Sequence, residues 1–158
     1  VPDRNLGTYV QQQTGRNIIL WDGCCPTHDA IRPADILAAK KKHPQAEVIV
    51  HPECRPEVTE LADVVCSTGG MFTAVEASTK SEFIIATESG MLYPLRKAHP
   101  ECRFYPVTET MICEDMKKIS LEDVHQSLQN MEPIIAVDPE TGRKARKALE
   151  RMLAIPRN

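Results

Sequence analysis

No apolar run in this sequence approaches the roughly 20 residues needed to cross a bilayer, and no basic segment leads into an apolar leader. A membrane partner and a secreted destination are therefore not expected, and the chain reads as soluble and cytoplasmic. Charge of one sign is also missing: 19 Lys+Arg stand against 22 Asp+Glu, a formal net charge of -3. That balance lacks the basic footprint of phosphate-backbone binding, so nucleic acid is not an expected partner. There is no low-complexity stretch or long flexible linker, and the 12 prolines are spread along the chain. An initiator methionine is absent, since the sequence opens Val1-Pro2-Asp3. The expectation is a piece of a longer protein. With 158 residues and roughly 150 residues per domain, the chain holds about one ordinary domain or two small ones.

What is present suits a folded globule. Hydrophobic residues make up 42% and charged residues 26%, enough to bury a core. Six cysteines stand at positions 24, 25, 54, 66, 102 and 113. Disulfide frameworks belong to short secreted chains without a core, so these are expected to be reduced thiols, most of them small buried hydrophobes.

Short apolar runs alternate with helical stretches. Strands are predicted at 17–21 (NIILW), 47–51 (EVIVH), 63–66 (DVVC), 82–87 (EFIIAT), 103–106 (RFYP) and 133–137 (PIIAV). Their near-continuous apolarity fits strands covered on both faces, as in parallel sheets. Helices are predicted at 33–42, 56–62, 71–78, 91–97, 121–130 and 140–153. Ser120 followed by Asp123 reads as a capping box, and Asp138-Pro139 as an N-cap with proline in the first turn. The pattern predicts an α/β fold, a three-layer αβα sandwich with short, mostly parallel sheets and right-handed crossovers. A weaker echo links Lys41-Lys42-His43-Pro44 to Arg96-Lys97-Ala98-His99-Pro100; it is either repeated architecture or a common helix stop.

Ligands in open α/β sheets bind outside the carboxyl ends of strands, so the loops there hold the candidate chemistry. Cys25-Pro26-Thr27-His28 sets a thiol and an imidazole three residues apart, a reachable spacing for a shared metal; the plain alternative is a buried cysteine beside a helix-capping histidine. His51-Pro52-Glu53 joins a proton carrier to a carboxylate across a rigid proline, or forms an ordinary solvated loop. Ser67-Thr68-Gly69-Gly70 offers hydroxyls and amides at a helix start for a phosphate or carboxylate, though it is neither a P-loop nor a dinucleotide fingerprint. Thr87-Glu88-Ser89-Gly90 looks like a plain helix entry. Cys113 lies in a further loop, and Cys54, Cys66 and Cys102 have no ligand-like company.

Several of these motifs, taken in order and spacing, resemble the quinolinate synthase family. They are Pro2-Asp3-Arg4-Asn5-Leu6-Gly7-Thr8-Tyr9-Val10, Trp21-Asp22-Gly23-Cys24-Cys25-Pro26-Thr27-His28, His51-Pro52-Glu53-Cys54, Ser67-Thr68-Gly69, Thr87-Glu88-Ser89-Gly90-Met91 and Cys113-Glu114-Asp115-Met116-Lys117. The resemblance covers essentially the whole chain.

It implies three similar αβα domains in a pseudo-threefold arrangement around a 4Fe-4S cluster, each contributing one cysteine. On that basis residues 1–25 are the tail of a preceding domain, 26–113 a complete αβα domain, and 114–158 a strand-helix segment packing on an absent N-terminal domain. The resemblance assigns Cys25 and Cys113 as cluster ligands, with a third cysteine upstream, and prefers Cys25 over Cys24 because the family ligand directly precedes Pro. It implies His51 and Glu53 as the acid/base and binding pair, Ser67, Thr68 and Gly69 as the pocket for phosphate or carboxylate, and His28 as a residue lining the same cavity. The implied reaction condenses iminoaspartate with dihydroxyacetone phosphate to quinolinate, losing phosphate and water, in NAD biosynthesis, with a functional link to L-aspartate oxidase or aspartate dehydrogenase. The chain alone is expected to be inactive. The alternative is a silent fragment or binding module in which Cys25 and His28 hold zinc or nothing.

Overall fold

Four short strands form the only regular sheet among the described residues, and each is built from the apolar runs noted above. The computed structural model describes residues 1–156. Strands β1 (Glu47–Val50), β2 (Val64–Val65), β3 (Glu82–Ala86) and β4 (Arg103–Pro106) pair in the order β2-β1-β3-β4. Every pairing is parallel, with Val48 opposite Ile84 and Val50 opposite Ala86 in the central pair. Successive side chains of these strands alternate between two cores. Val48, Val50, Ile84 and Ala86 pack with Ile36, Ala39 and Val58 on one side. Ile49, Phe83, Ile85 and Phe104 pack with Met71, Val75, Leu92 and Leu95 on the other.

Those helical partners define the outer layers. Helices α1 (Arg4–Thr14), α2 (Pro26–Asp29), α3 (Pro33–Lys42), α4 (Pro56–Thr59), α5 (Thr68–Ala77) and α6 (Leu92–Ala98) lie in the first of two compact units, Val1–Glu114. Helices α3 and α4 supply one core, α5 and α6 the other, so the sheet is covered on both faces as the expected αβα sandwich requires. The chain leaves β1 through α4 toward β2, then returns past β1 through α5 to β3. The direction of winding reverses between β1 and β3, which opens a crevice at their carboxyl ends.

Two expected strands are not formed. Residues 17–21 are irregular, with Ile19 87% and Trp21 71% exposed, and residues 133–137 are irregular with Ile134 86% exposed. An apolar run becomes a strand only when an edge pairs with it, and among the described residues no edge does. A helix was missed in exchange. Asp3 caps α1 by accepting the Leu6 N–H at 2.8 Å, and the mid-helix Gly7 disguised it. A Cβ there would meet Leu20 Cδ2 at 2.2 Å, so glycine is what lets 18–20 lie against α1. His43 and His99, the residues of the echo, both cap helices that lead into strands, with nearly the same backbone, φ -129, ψ 70 and φ -130, ψ 70.

The second unit runs from Asp115. It contains α7 (Leu121–Asn130) and α8 (Pro139–Leu153), each started as the sequence predicts. Ser120 and Asp123 exchange hydrogen bonds through a capping box, and Asp138 accepts the Thr141 N–H at 2.8 Å. Neither helix buries a residue: Leu121, Val124, Leu128, Leu149, Met152 and Leu153 are all exposed. Residues 1–25, which the resemblance assigns to a preceding domain, share the first unit with 26–114.

Candidate functional site

The winding reversal between β1 and β3 gathers the chemistry-bearing loops. His51-Pro52-Glu53 directly follows β1, Thr87 directly follows β3, and the single turn of α2 brings His28 down between them. His28 is buried, 7% exposed, and its Nε2 lies 2.8 Å from Thr87 Oγ1. Its ring stacks on that of His51, centroids 4.3 Å apart and 14° from parallel. Glu53 sits beside both: Oε2 is 3.0 Å from His28 Nδ1 and 3.7 Å from His51 Nδ1. Despite that approach, the buried His28 Nδ1 has no hydrogen-bond partner.

The same loop sets the proton positions. The Glu53 N–H donates to His51 Nδ1 at 3.3 Å, so neutral His51 carries its proton on Nε2. Burial lowers the pKa of both histidines below 6.5, and the neighbouring His28 lowers that of His51 further. The Asp3 charge opposes the shift at His28, and the Glu53 and Asp3 charges oppose it at His51. The site therefore presents two neutral imidazoles and one carboxylate, a set able to accept, hold and return a proton.

A frame that sequence reading missed holds these loops in register. Asn5, itself buried, donates from Nδ2 to Asp29 Oδ1 at 2.9 Å and to the Glu53 carbonyl at 3.1 Å. Arg55 donates from Nε to the Asp29 carbonyl at 2.9 Å and from Nη2 to Asp29 Oδ2 at 2.6 Å. The Arg55 hydrogen bond holds the Asp29 carboxyl below its usual range. Asp3 works twice, because besides capping α1 its Oδ2 accepts the Cys25 N–H at 2.7 Å. Helix α1 thus ties the Cys25 turn to the Glu53 loop. Asp3 and Asn5 stood within the Pro2–Val10 motif and Thr87 within a loop read as a plain helix entry, none with a role assigned; Asp29 and Arg55 gave no signal.

Of the residues singled out from sequence, the structure brings together Cys25, His28, His51 and Glu53. Ligand atoms of Cys25, His28 and Glu53 all lie within 4.8 Å of one another. Ser67, Thr68 and Gly69 stand at the start of α5, following β2, with Thr68 and Gly69 exposed. There Ser67 Oγ accepts the Gly70 N–H at 3.3 Å, so part of its capacity serves the helix. Cys113 is half-buried in the loop after β4 and is not among the three grouped residues. That loop is anchored two residues earlier, where Met111 is buried and its carbonyl accepts the Ser89 N–H at 2.7 Å. Cys113 thus follows an anchor to the segment that carries Thr87. All six cysteines are free thiols. Cys54 is a core thiol, 1% exposed, with burial pushing its pKa up to about 12, while Cys66 and Cys102 pack half-buried against the second core.

The fold and these side chains define a class: a doubly wound αβα protein with a thiol, two imidazoles and a carboxylate at its switch point. Comparison with known proteins sharpens it. The family model described as "Quinolinate synthetase A protein" matches residues 1–154. The chain is 50% identical over 155 residues to the quinolinate synthase of Desulforudis audaxviator (strain MP104C), covering 98% of this chain and 51% of the relative. It is 46% identical over 157 residues to that of Geobacter sp. (strain M21), covering 99% and 52%. Over 155 residues it is 48% identical to that of Methanosarcina barkeri (strain Fusaro / DSM 804), covering 98% and 51%. The chain belongs to the quinolinate synthetase A family, and it spans about half the length of these curated relatives. No helix among the described residues is long and apolar enough to cross a membrane.

Proposed function

We propose that this chain is the cluster-bearing half of a cytoplasmic quinolinate synthase, condensing iminoaspartate with dihydroxyacetone phosphate and losing phosphate and two waters. Its family supports the reaction; the convergence of His28, His51 and Glu53 at the carboxyl ends of β1 and β3 carries the site. The reading assigns a 4Fe-4S cluster to Cys25, Cys113 and a third cysteine outside this chain. The donor chemistry fits in kind, since Cys25 and Cys113 are free, half-buried thiols on loops. When bound, such a cluster with one iron left open by cysteine supplies a Lewis acid.

The chain's own residues handle protons and anions. Glu53 takes a proton from the carbon or nitrogen of the condensing imine, and His51, with its proton on Nε2, returns one to departing oxygen. His28, hydrogen-bonded to Thr87 and stacked on His51, lines the same cavity. The hydroxyls of Ser67 and Thr68 and the Gly69 amide receive the phosphate or a substrate carboxylate at the start of α5. Gly69 leaves room for such a ligand, because a Cβ there would meet nothing within 4 Å and packing does not require the glycine. Iminoaspartate must come from oxidation of aspartate, which links the chain to L-aspartate oxidase or aspartate dehydrogenase.

In the same reading, 1–25 completes a preceding αβα domain and 114–158 packs on the remainder of a longer pseudo-threefold protein. The exposed apolar residues at 19–21 and on α7 and α8 are what such packing would cover. The chain alone is then inactive. Quinolinate formation by a protein of the relatives' full length, with and without Glu53→Gln, tests the reading; loss of product with retained iron and sulfide supports it, and unchanged turnover refutes the assignment of Glu53.

A further inference from the structure

The Pro2–Val10 motif stands out in the sequence yet has no part in the chemistry proposed above. Its Asn5 lies in the first turn of α1 and is 6% exposed. The carboxamide nitrogen donates both to Asp29 Oδ1, at 2.9 Å, and to the Glu53 carbonyl, at 3.1 Å. Both partners are acceptors, so the nitrogen and not the oxygen must face them, and rotating the group breaks at least one bond. Asp29 is held in turn by Arg55, whose Nε donates to its carbonyl at 2.9 Å and whose Nη2 donates to its Oδ2 at 2.6 Å. Arg55 follows Glu53 by two residues, so the contacts close a ring: Glu53 to Asn5, Asn5 to Asp29, Asp29 to Arg55, and back along the chain.

We infer that Asn5 is a positioning residue for the reaction: with Asp29 and Arg55 it sets the His28 turn against the Glu53 loop and so places the Glu53 carboxylate. The inference rests on the reading of Glu53 as a proton-handling group. Asp29 directly follows His28 in α2, so one side-chain amide spans the two segments whose side chains meet at 3.0 Å, between His28 Nδ1 and Glu53 Oε2. The front of the loop is fixed by its own residues: Pro52 sets one backbone torsion, the Cys54 N–H donates to the His51 carbonyl at 3.0 Å, and the Glu53 N–H donates to His51 Nδ1 at 3.3 Å. The Glu53 carbonyl is the group these contacts leave to Asn5. Without that bond the peptide after Glu53 can tilt and carry the carboxylate with it, and a displacement of about 1 Å at a reacting group costs up to about 100-fold in rate. Ser67, Thr68 and Gly69, at the start of α5, lie outside the ring, so capture of the phosphate or carboxylate does not depend on it.

Steady-state kinetics of an anaerobically prepared protein of the relatives' full length test it. Asn5→Ala is expected to lower kcat for quinolinate formation about 10- to 100-fold, with KM for dihydroxyacetone phosphate, iron and sulfide unchanged. In a Glu53→Asp background, where the carboxylate is already displaced, adding Asn5→Ala lowers kcat by less than about twofold, because the two changes act on one group. Arg55→Lys keeps the charge, loses the fork and leaves the buried amide in place, so it reads the ring even where Asn5→Ala does not fold; it too lowers kcat with KM unchanged. Undiminished kcat in Asn5→Ala overturns the inference, as does a loss of full size in the Glu53→Asp background. A rise in KM alone with Arg55→Lys also overturns it, by placing Arg55 on a substrate anion. Glu53→Gln separates the two failures. If that variant is inactive while Asn5→Ala and Arg55→Lys are fully active, this inference falls and the proton reading stands; if it turns over normally, both fall.

Discussion

Replacing Thr87 by valine isolates one atom of the site. Thr87 is 3% exposed and its hydroxyl lies 2.8 Å from the Nε2 of a histidine that is 7% exposed. Valine keeps the volume and removes the hydroxyl, so packing is nearly unchanged while a buried imidazole nitrogen loses its partner. A net hydrogen bond contributes about 0.5–1.5 kcal/mol, and a buried polar atom left unsatisfied costs about 1–3 kcal/mol. The expected loss is therefore about 2 kcal/mol. Thr87→Ser keeps the hydroxyl and removes a methyl, costing about 1 kcal/mol. The order is diagnostic: a purely apolar environment would favour valine over serine, and this one reverses it. Denaturant titrations at about pH 8, above the ordinary histidine range, read the effect, with amide exchange of Ile84 and Ile85 reporting on the first unit separately. Valine equal to or more stable than threonine would refute the claim that His28 depends on this hydroxyl.

Other outcomes follow from the same geometry. Burial holds His28 and His51 below the ordinary 6.5, so the unfolded chain takes up their protons at higher pH than the folded one. Their contribution to stability is fully present above about pH 6.5 and is lost as pH falls from there toward the folded values, which unfolding titrations at stepped pH will show. Gly70→Ala forces a Cβ to 2.9 Å from Cys66 Cβ and costs about 1–3 kcal/mol. Gly69→Ala meets open space and gains up to about 1 kcal/mol of helix propensity; thermal melts of the pair that agree with each other contradict this. With its pKa near 12 against an ordinary 9.0, Cys54 alkylates about a thousandfold more slowly than an ordinary thiol at about pH 8, measured peptide by peptide in iodoacetamide labelling.

The sheet was legible because its strands are buried on both faces and read as continuous apolar runs, EVIV and EFIIA above all. Helix α3 was legible from Pro33 at its start and Lys40, Lys41 and Lys42 at its end. His51 and Glu53 stood out because they lie in the loop at the carboxyl end of β1, and His28 because it stands three residues after Cys25, although it sits in α2 and the strand expected before it is not formed. The frame behind them did not, since Asn5 reaches Asp29 and Glu53 across sequence separations of 24 and 48 residues, and no local pattern encodes such a partner. Residues 17–21 and 133–137 carry strand composition, but composition specifies what a segment buries and not which edge receives it. Thr87 was passed over because a threonine at a strand end is commonplace until the imidazole it holds is seen.

The central claim is that the crevice between β1 and β3 performs proton chemistry on the quinolinate precursors. It is tested most directly by iron, sulfide and product analysis of Glu53→Gln in an anaerobically prepared protein of the relatives' full length. The account predicts undiminished iron and sulfide with no quinolinate formed. Turnover equal to that of the unaltered protein would contradict it.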